Sequence, residues 1–186
     1  MPPKVKITKE DIIKTAIDIV RDKGAEAINA RNVAAVLNCS TQPIFSNFEN
    51  MDELKLEAVA EAERIFVEFL NKEIDKGEYP AYKASGMAYI RFASEEKELF
   101  KLLYMRDRTN EDMKAESELN NQMKGMVKDN VNLTDDIAQL FHLEIWACVH
   151  GIATMLATSY LELDFSFISK MITDVYQGLK KQFEGD

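Results

Sequence analysis

A short run near the amino terminus carries amide and hydroxyl side chains that could recognise nucleic acid. Gln42 and Asn47 carry amide groups, which are suited to bidentate hydrogen bonds with adenine in the major groove. Ser40, Thr41 and Ser46 carry hydroxyl groups, which suit phosphate oxygens when backbone N–H groups of a helix amino terminus lie beside them. The residue types in this run therefore indicate a surface that contacts DNA.

The elements that must position these side chains are two short helices. The first is predicted to begin after Asn29, a good N-cap residue, and to run to about Leu37. Asn38 follows, and asparagine tolerates the left-handed backbone of a tight turn. Ser40 is expected to cap the second helix, near residues 41–47. The pattern predicts a helix–turn–helix, whose second helix can enter a major groove.

Apolar residues recur at helical spacing throughout the rest of the chain. The sequence has only 7 glycines and 4 prolines, and no proline follows Pro80, which suits long helices and disfavours a turn-rich β protein. We therefore expect an all-α fold of about nine helices. The further helices are predicted near residues 9–23, 50–75, 81–94, 96–106, 111–130, 134–161 and 165–183.

Net charge differs between the two parts of this 186-residue chain. The whole chain carries −9, which taken alone argues against a nucleic-acid partner. Residues 1–50, however, hold seven basic and six acidic side chains, so the acidity belongs almost wholly to residues 51–186. The amino-terminal part can therefore approach DNA, while the acidic body is expected to disfavour nonspecific binding.

Several functional classes are disfavoured by the motifs that the sequence lacks. Cys39 and Cys148 are too few and too isolated for a disulfide framework, and the sequence predicts neither a secretory signal nor a membrane span. There is no glycine-rich phosphate loop, no zinc-protease helix motif and no Gly-x-Ser-x-Gly. We expect a cytoplasmic protein that is not an enzyme and needs neither cofactor nor metal.

The amino-terminal sequence resembles the TetR family of one-component bacterial regulators over about residues 8–60. The matching segments are INARNVA at 28–34, NCSTQPIFSNF at 38–48 and MDEL at 51–54. In the later part, WACVHG at 146–151 is similar to a Trp-xxx-His-Gly signature of one family of regulatory carboxy-terminal domains.

The resemblance implies a homodimeric transcriptional regulator, most often a repressor. Residues 1–50 would form a three-helix domain that binds an inverted-repeat operator in double-stranded DNA. Residues 51–186 would form a helical domain for effector binding and dimerisation, and a small apolar or aromatic effector would release the DNA through the fourth helix.

Ten residues are predicted to contact DNA, from their position in or beside the helix–turn–helix and from the resemblance. The sequence departs from the family where many members carry a tyrosine and a lysine, since it has Phe45 and Met51 there, which removes the groups that make two phosphate contacts. The predicted contacts are Lys9, Arg31, Ser40, Thr41, Gln42, Pro43, Phe45, Ser46, Asn47 and Lys55.

An effector pocket is predicted among the aromatic and methionine side chains of the later helices. His142, Trp146 and His150 are spaced four residues apart on one helix face, where packing, a ligand role or a metal site are alternatives, and metal is the least favoured. The predicted lining residues are Phe66, Phe69, Met87, Tyr104, Met123, Trp146 and His150.

A homodimer interface is predicted on the last two helices, because their apolar faces are too broad for one small unit to bury. Cover by helices 81–130 of the same chain is the alternative. The predicted interface residues are Ile152, Leu156, Tyr160, Ile168, Ile172, Val175, Tyr176 and Leu179.

A second function also fits the sequence. The chain could be a helical small-molecule-binding protein or an enzyme that uses the face carrying Trp146 and His150, with a vestigial DNA-binding unit. Turnover retained without residues 1–50 would favour that function. Failure of the full-length protein to shift DNA from around its own gene would favour it as well.

Overall fold

Eight α-helices and one short 3₁₀ turn form the secondary structure of the computed structural model, which describes residues 7–107, Gly125 and 134–184. These residues contain no strand, which confirms the all-α prediction for the described part of the chain. The helix predicted near 111–130 lies outside it. The helices are α1 (Lys9–Lys23), α2 (Ala30–Val36), α3 (Gln42–Asn47), α4 (Met51–Asp75), α5 (Ala81–Glu95), α6 (Lys97–Tyr104), α7 (Asp135–Ala157) and α8 (Phe165–Glu184).

The described residues separate into two compact units that do not follow the order of the chain. The first unit contains the chain up to Glu68 together with Glu96–Arg106, and therefore includes α6. The second contains Phe69–Glu95 and the described residues from Asp107 onward. The division of function predicted at residue 50 concerns DNA and effector binding and stays a prediction.

Side-chain caps fix the starts of three helices in the first unit. Thr8 and Asp11 form a reciprocal capping box at the start of α1, with N–H to oxygen distances of 2.9 and 3.1 Å. The side-chain oxygens of Asn29 and Asn50 each accept two backbone N–H bonds at the starts of α2 and α4. These caps confirm the helix starts predicted from the sequence.

Two predicted helix ends were wrong. Ser40 does not take the N-cap position of α3, because the first helical N–H groups, those of Ile44 and Phe45, donate to the carbonyl of Thr41. Helix α3 therefore begins at Gln42, and the Thr41 side chain makes no capping bond. The long helix α7 ends at Ala157 rather than near residue 161, because Ser159 adopts a left-handed backbone with φ of 56°.

The core of the first unit takes fully buried side chains from each of its five α-helices. Ile12, Val33, Ile44, Leu54 and Leu99 come from α1, α2, α3, α4 and α6 in that order, and all are inaccessible to solvent. The participation of α6 means that α1 packs against a segment that follows it by more than seventy residues in the chain.

A two-point ion pair joins α1 to α6 at the edge of this core. The guanidinium of Arg21 donates to both carboxylate oxygens of Glu96, at 2.8 and 2.9 Å. This bond raises the pKa of Arg21, with burial acting in the opposite direction. Bidentate geometry of this kind fixes orientation as well as distance.

In the second unit, α5 packs along α7. Gly86 faces α7, since a Cβ at that position would lie 3.4 Å from the side chain of Val149, in van der Waals contact. Phe92, Phe141 and Ile168 are fully buried and join α5, α7 and α8 to one apolar core.

Gly24 ends α1 in a conformation with φ of 80° and ψ of 169°, which is essentially confined to glycine. A Cβ there would also lie 3.1 Å from a carboxylate oxygen of Glu98. We predict that Gly24→Ala lowers the free energy of unfolding by about 1–3 kcal/mol, measured by urea denaturation.

The matched control is Gly178→Ala in the interior of α8, where an added Cβ would meet no described atom within 4 Å beyond the adjacent residues and the helix's own backbone. This variant is expected to raise the free energy of unfolding by roughly 0.5–1 kcal/mol, because alanine favours a helix interior. Equal effects of the two substitutions would contradict the assigned conformation of Gly24.

Candidate nucleic-acid interface and effector site

The turn between α2 and α3 is closed by backbone hydrogen bonds. Asn38 has φ of 49°, the left-handed conformation predicted for it, and its N–H donates to the carbonyl of Ala35 at 3.2 Å. The N–H of Cys39 donates to the carbonyl of Ala34 at 2.9 Å. These bonds reverse the chain sharply, so that α3 follows α2 as in a helix–turn–helix.

Helix α3 has one buried side and one exposed side. Ile44 and Phe48 are buried in the core of the first unit. Gln42, Phe45 and Ser46 are exposed, and the Phe45 side chain is 53% accessible although it is wholly apolar. The helix therefore presents an amide, a hydroxyl and an aromatic ring outward from a fixed base.

Gln42 and Asn47, the two amides predicted to contact bases, differ in their hydrogen bonds and in their exposure. The Asn47 side chain is half-buried and donates to the carbonyl of Pro43 at 2.7 Å, while Ser46 donates to the carbonyl of Gln42 at 2.9 Å. The amide group of Gln42 projects from an exposed residue in the first turn, where recognition helices present base contacts. The geometry favours Gln42 over Asn47 for base recognition.

The other predicted DNA contacts differ in their surroundings. Arg31 and Lys55 are exposed, and Arg31 lies in the first turn of α2. Ser40 is also exposed, whereas Thr41 and Pro43 are half-buried. Lys9, by contrast, is half-buried and its ammonium group lies against carboxylates of α4.

Both histidines of the chain lie on α7, and each is hydrogen-bonded to a tyrosine of α5. The Tyr82 oxygen lies 3.0 Å from Nδ1 of His142, and the Tyr89 oxygen lies 2.9 Å from Nδ1 of His150. Burial, with a smaller contribution from Tyr176, raises the pKa of Tyr82. These pairs satisfy polar groups within an otherwise apolar contact between the helices.

Trp146, the single tryptophan of the chain, stacks on the imidazole ring of His150. The ring centroids are 4.9 Å apart and the planes are inclined by 13°. Burial lowers the pKa of His150, so the ring is neutral near pH 7. Because Trp146 remains 43% accessible, this group of rings presents a flat aromatic surface with a polar centre.

The predicted pocket residues fall into both units. Phe66 and Tyr104 belong to the first unit, where their rings meet edge to face at 5.9 Å. Phe69 and Met87 belong to the second unit with the stacked Trp–His pair, and Met87 is almost wholly buried. Met123 lies outside the described residues. Lining of a pocket by these residues stays a prediction.

Half of the predicted dimer-interface residues belong to the core of the protomer itself. Four of them are already buried in the protomer, so a second subunit would cover almost no further area on these side chains. They are Ile152, Leu156, Ile168 and Ile172. Three others are half-buried, namely Val175, Tyr176 and Leu179. Tyr160 is 77% exposed.

Sequence reasoning missed other apolar side chains that are exposed on the last two helices. Leu140, Leu143 and Met155 of α7 and Phe167 of α8 are each more than a third accessible. On α7 they flank Gly151, where an added Cβ would meet no described atom within 4 Å beyond the adjacent residues and the helix's own backbone. Periodicity alone predicted which helices carry apolar faces, but not which of two broad faces the protomer covers.

Two further properties of the described residues bear on function. Helix α7 is long and apolar enough to cross a membrane, a test that the core helix of a globular protein also passes. Residues 7–107 and 134–184 hold no group of three or more His, Cys, Asp and Glu side chains arranged for a metal ion.

Comparison with known proteins identifies the carboxy-terminal region. Residues 82–173 match the family model of the tetracyclin repressor-like, C-terminal domain. A TetR-like transcriptional regulator from Rhodococcus sp. RHA1 shares the fold, with a TM-score of 0.67 and 15% identity over 100% of both chains. The multidrug binding protein EbrR, solved with imidazole, has a TM-score of 0.56 and 18% identity over 90% of this chain and 88% of that one. No curated protein matches in sequence.

The order of a helix–turn–helix and then further helices is part of the fold that this chain shares with the Rhodococcus TetR-like regulator. Residues 82–173 belong to the tetracyclin repressor-like C-terminal domain family, and the chain as a whole shares the fold of a TetR-like regulator. This confirms the resemblance inferred from the amino-terminal segments, while the Trp-xxx-His-Gly signature stays a prediction.

Trp146 fluorescence provides a test of the stacked pair. We predict that acidification quenches it with a midpoint below 6.5, the ordinary pKa of histidine, because burial lowers the pKa of His150 and a protonated imidazole quenches a stacked indole. The unfolded chain takes up this proton at higher pH than the folded chain. The free energy of unfolding is therefore expected to fall as the pH drops through this window.

His150→Gln is expected to abolish the fluorescence titration, and His142→Gln, which removes the other imidazole of α7, is expected to leave it in place. Quenching that persists unchanged in His150→Gln would show that His150 is not the group whose protonation quenches Trp146.

Proposed function

We propose that this protein is a ligand-responsive repressor that binds an inverted-repeat operator as a homodimer and leaves it when a small apolar or aromatic effector binds. Residues 1–50 would contact DNA, and residues 51–186 would bind the effector and the second subunit. The division of charge supports this arrangement, since the acidic body would be repelled by DNA away from a well-matched operator.

The observation that carries the proposal is the two-sided construction of α3. Its buried side is fixed by Ile44 and Phe48, so the exposed side is held in one orientation. An amide at Gln42 and an apolar ring at Phe45 match two kinds of group in the major groove, the edge of adenine and the methyl group of thymine. Arg31, at the start of α2, is well placed for a phosphate.

Homodimer formation is supported by the exposed apolar side chains of α7 and α8. Leu140 and Leu143 lie on one side of α7, and the exposed Ala147 and half-buried Gly151 follow at helical spacing. Small residues let two helices approach closely, so a second copy of the chain could bury the neighbouring leucines. Two-fold pairing would then place two recognition helices on one face of DNA.

An aromatic effector is supported by the surface that Trp146 and His150 form in the second unit. Rings offer stacking area, and a neutral imidazole with its tyrosine partner can exchange hydrogen bonds with a ligand. The EbrR structure holds imidazole, itself a small aromatic molecule. A 100-fold preference for the released state supplies about 2.7 kcal/mol, enough to change operator occupancy.

The proposal places the protein in the cytoplasm, where an operator and a diffusible effector are both accessible. The apolarity of α7 fits a helix that packs against α5 on one side and a second subunit on the other.

Selection from a random pool of double-stranded DNA tests the operator directly. We expect the full-length protein to enrich an inverted repeat with half-site centres about 34–36 Å apart. Arg31→Ala combined with Gln42→Ala should weaken binding at least about 100-fold, because it removes one phosphate contact and one bidentate base contact per subunit. Fluorescence anisotropy with the selected DNA measures this change.

Lys72→Ala combined with Gln182→Ala is the matched control, since it removes the same charge and the same amide from exposed positions elsewhere. It is expected to retain affinity. Unchanged affinity in the Arg31 and Gln42 variant, with helical content preserved, would contradict the placement of the contacts.

The dimer is tested by Leu143→Glu, which would place a carboxylate in an apolar contact between two subunits. We expect a shift from dimer to monomer in sedimentation equilibrium, with helical content retained. Leu56→Glu, at an even more exposed leucine of α4 in the first unit, should remain dimeric. A dimer that survives Leu143→Glu would exclude this face of α7.

A further inference from the structure

We infer that Lys9 is a positioning residue that ties the end of the recognition helix to the start of α4, and that it does not contact phosphate. The inference rests on the proposed DNA-binding function. It replaces the role that the sequence suggested for this lysine.

The Lys9 ammonium group meets three parts of the first unit at one point. Its Nζ lies 2.6 Å from a carboxylate oxygen of Glu57 and 3.7 Å from one of Glu53. It also lies 5.1 Å from the ring centroid of Phe48. Lys9 is the first residue of α1, Phe48 directly follows α3, and the two glutamates lie one turn apart on α4.

The connection between α3 and α4 is short and fully engaged in hydrogen bonds. Phe48 is buried, and its N–H donates to the carbonyl of Ile44 at 2.9 Å. The next residue, Glu49, donates its N–H to Glu53 at 2.6 Å, and Asn50 caps α4. Glu53 thus uses one carboxylate oxygen to hold the connection, and its other oxygen faces Lys9.

These contacts leave the ammonium group committed to carboxylates. The Lys9 side chain is 37% exposed, so a phosphate would have to share the ammonium group with Glu57 and Glu53, and their carboxylates would repel it. Lys9 instead neutralises them and holds them against the base of α3. The bond to Glu57 raises the pKa of Lys9, so the group stays protonated at any pH at which the protein functions.

The contacts of Lys9 with Glu53, Glu57 and Phe48 should affect the angle between α3 and α4 more than the free energy of unfolding. Partly exposed ion pairs contribute little to folding, so loss of Lys9 should leave the fold intact. A change in the angle between α3 and α4, however, would alter the match between paired recognition helices and the spacing of two half-sites. Spacing discrimination is therefore the property that Lys9 should control.

The test uses the full-length protein, the operator selected from the random pool, and operators whose spacer is longer or shorter by one base pair. Lys9→Met is expected to weaken binding to the best operator about tenfold, the scale of one mismatched base pair, and to reduce the preference for its spacer. The slope of log affinity against log salt should not change. Lys9→Arg should restore most of the preference.

Glu57→Gln separates the two roles of Lys9 without changing the lysine. If Lys9 is a positioning residue, Glu57→Gln should bind DNA more weakly and discriminate less between spacers, although this substitution removes a negative charge near DNA. If Lys9 contacts a phosphate, Glu57→Gln should bind DNA more tightly. In that case Lys9→Met should also lower the slope of log affinity against log salt by about 0.9 per subunit. The second pair of results would overturn the inference.

Lys23→Met is the matched control, because it removes an exposed lysine from the other end of α1. It should leave both affinity and spacing preference unchanged, and an equal loss in this variant would also overturn the inference. Failure of the wild-type protein to enrich any DNA sequence would overturn the proposed function itself, and this inference with it.

Discussion

The short helix α3 depends on burial against its neighbours. With six residues it is too short to be stable by itself in water. Ile44 and Phe48 supply the missing stability by entering the core of the first unit, where each such side chain contributes about 1.5–3 kcal/mol. The same two contacts fix the rotation of the helix, so what holds α3 in place also decides that Gln42 and Phe45 face outward.

In the second unit, polar rings lie between two largely apolar helices. Each histidine accepts or donates a hydrogen bond with a tyrosine across the contact of α5 and α7, so neither imidazole is buried without a polar partner. At one of these pairs the indole of Trp146 covers the imidazole. Neutral rings of mixed polarity suit an uncharged aromatic ligand better than an ionic one.

Local features of this fold could be predicted from the sequence, and contacts between distant segments could not. The N-caps of α1, α2 and α4 and the left-handed turn at Asn38 follow from the preferences of single residues. Apolar spacing predicted that Ile168 and Ile172 would be covered, but it does not say whether the cover is the same chain or a second one. The pairing of Lys9 with Glu57 requires knowing that α1 and α4 meet, which no local pattern contains.

The membership of α6 in the first unit has a consequence for modularity. Leu99 and Phe100 are fully buried, and Arg21 of α1 is bound by Glu96 directly before α6. A polypeptide that stops after α4 would leave the apolar partners of α6 open to water. The unit that contains the helix–turn–helix is thus discontinuous in the gene. A functional graft onto another effector domain would have to carry two separate stretches of coding sequence.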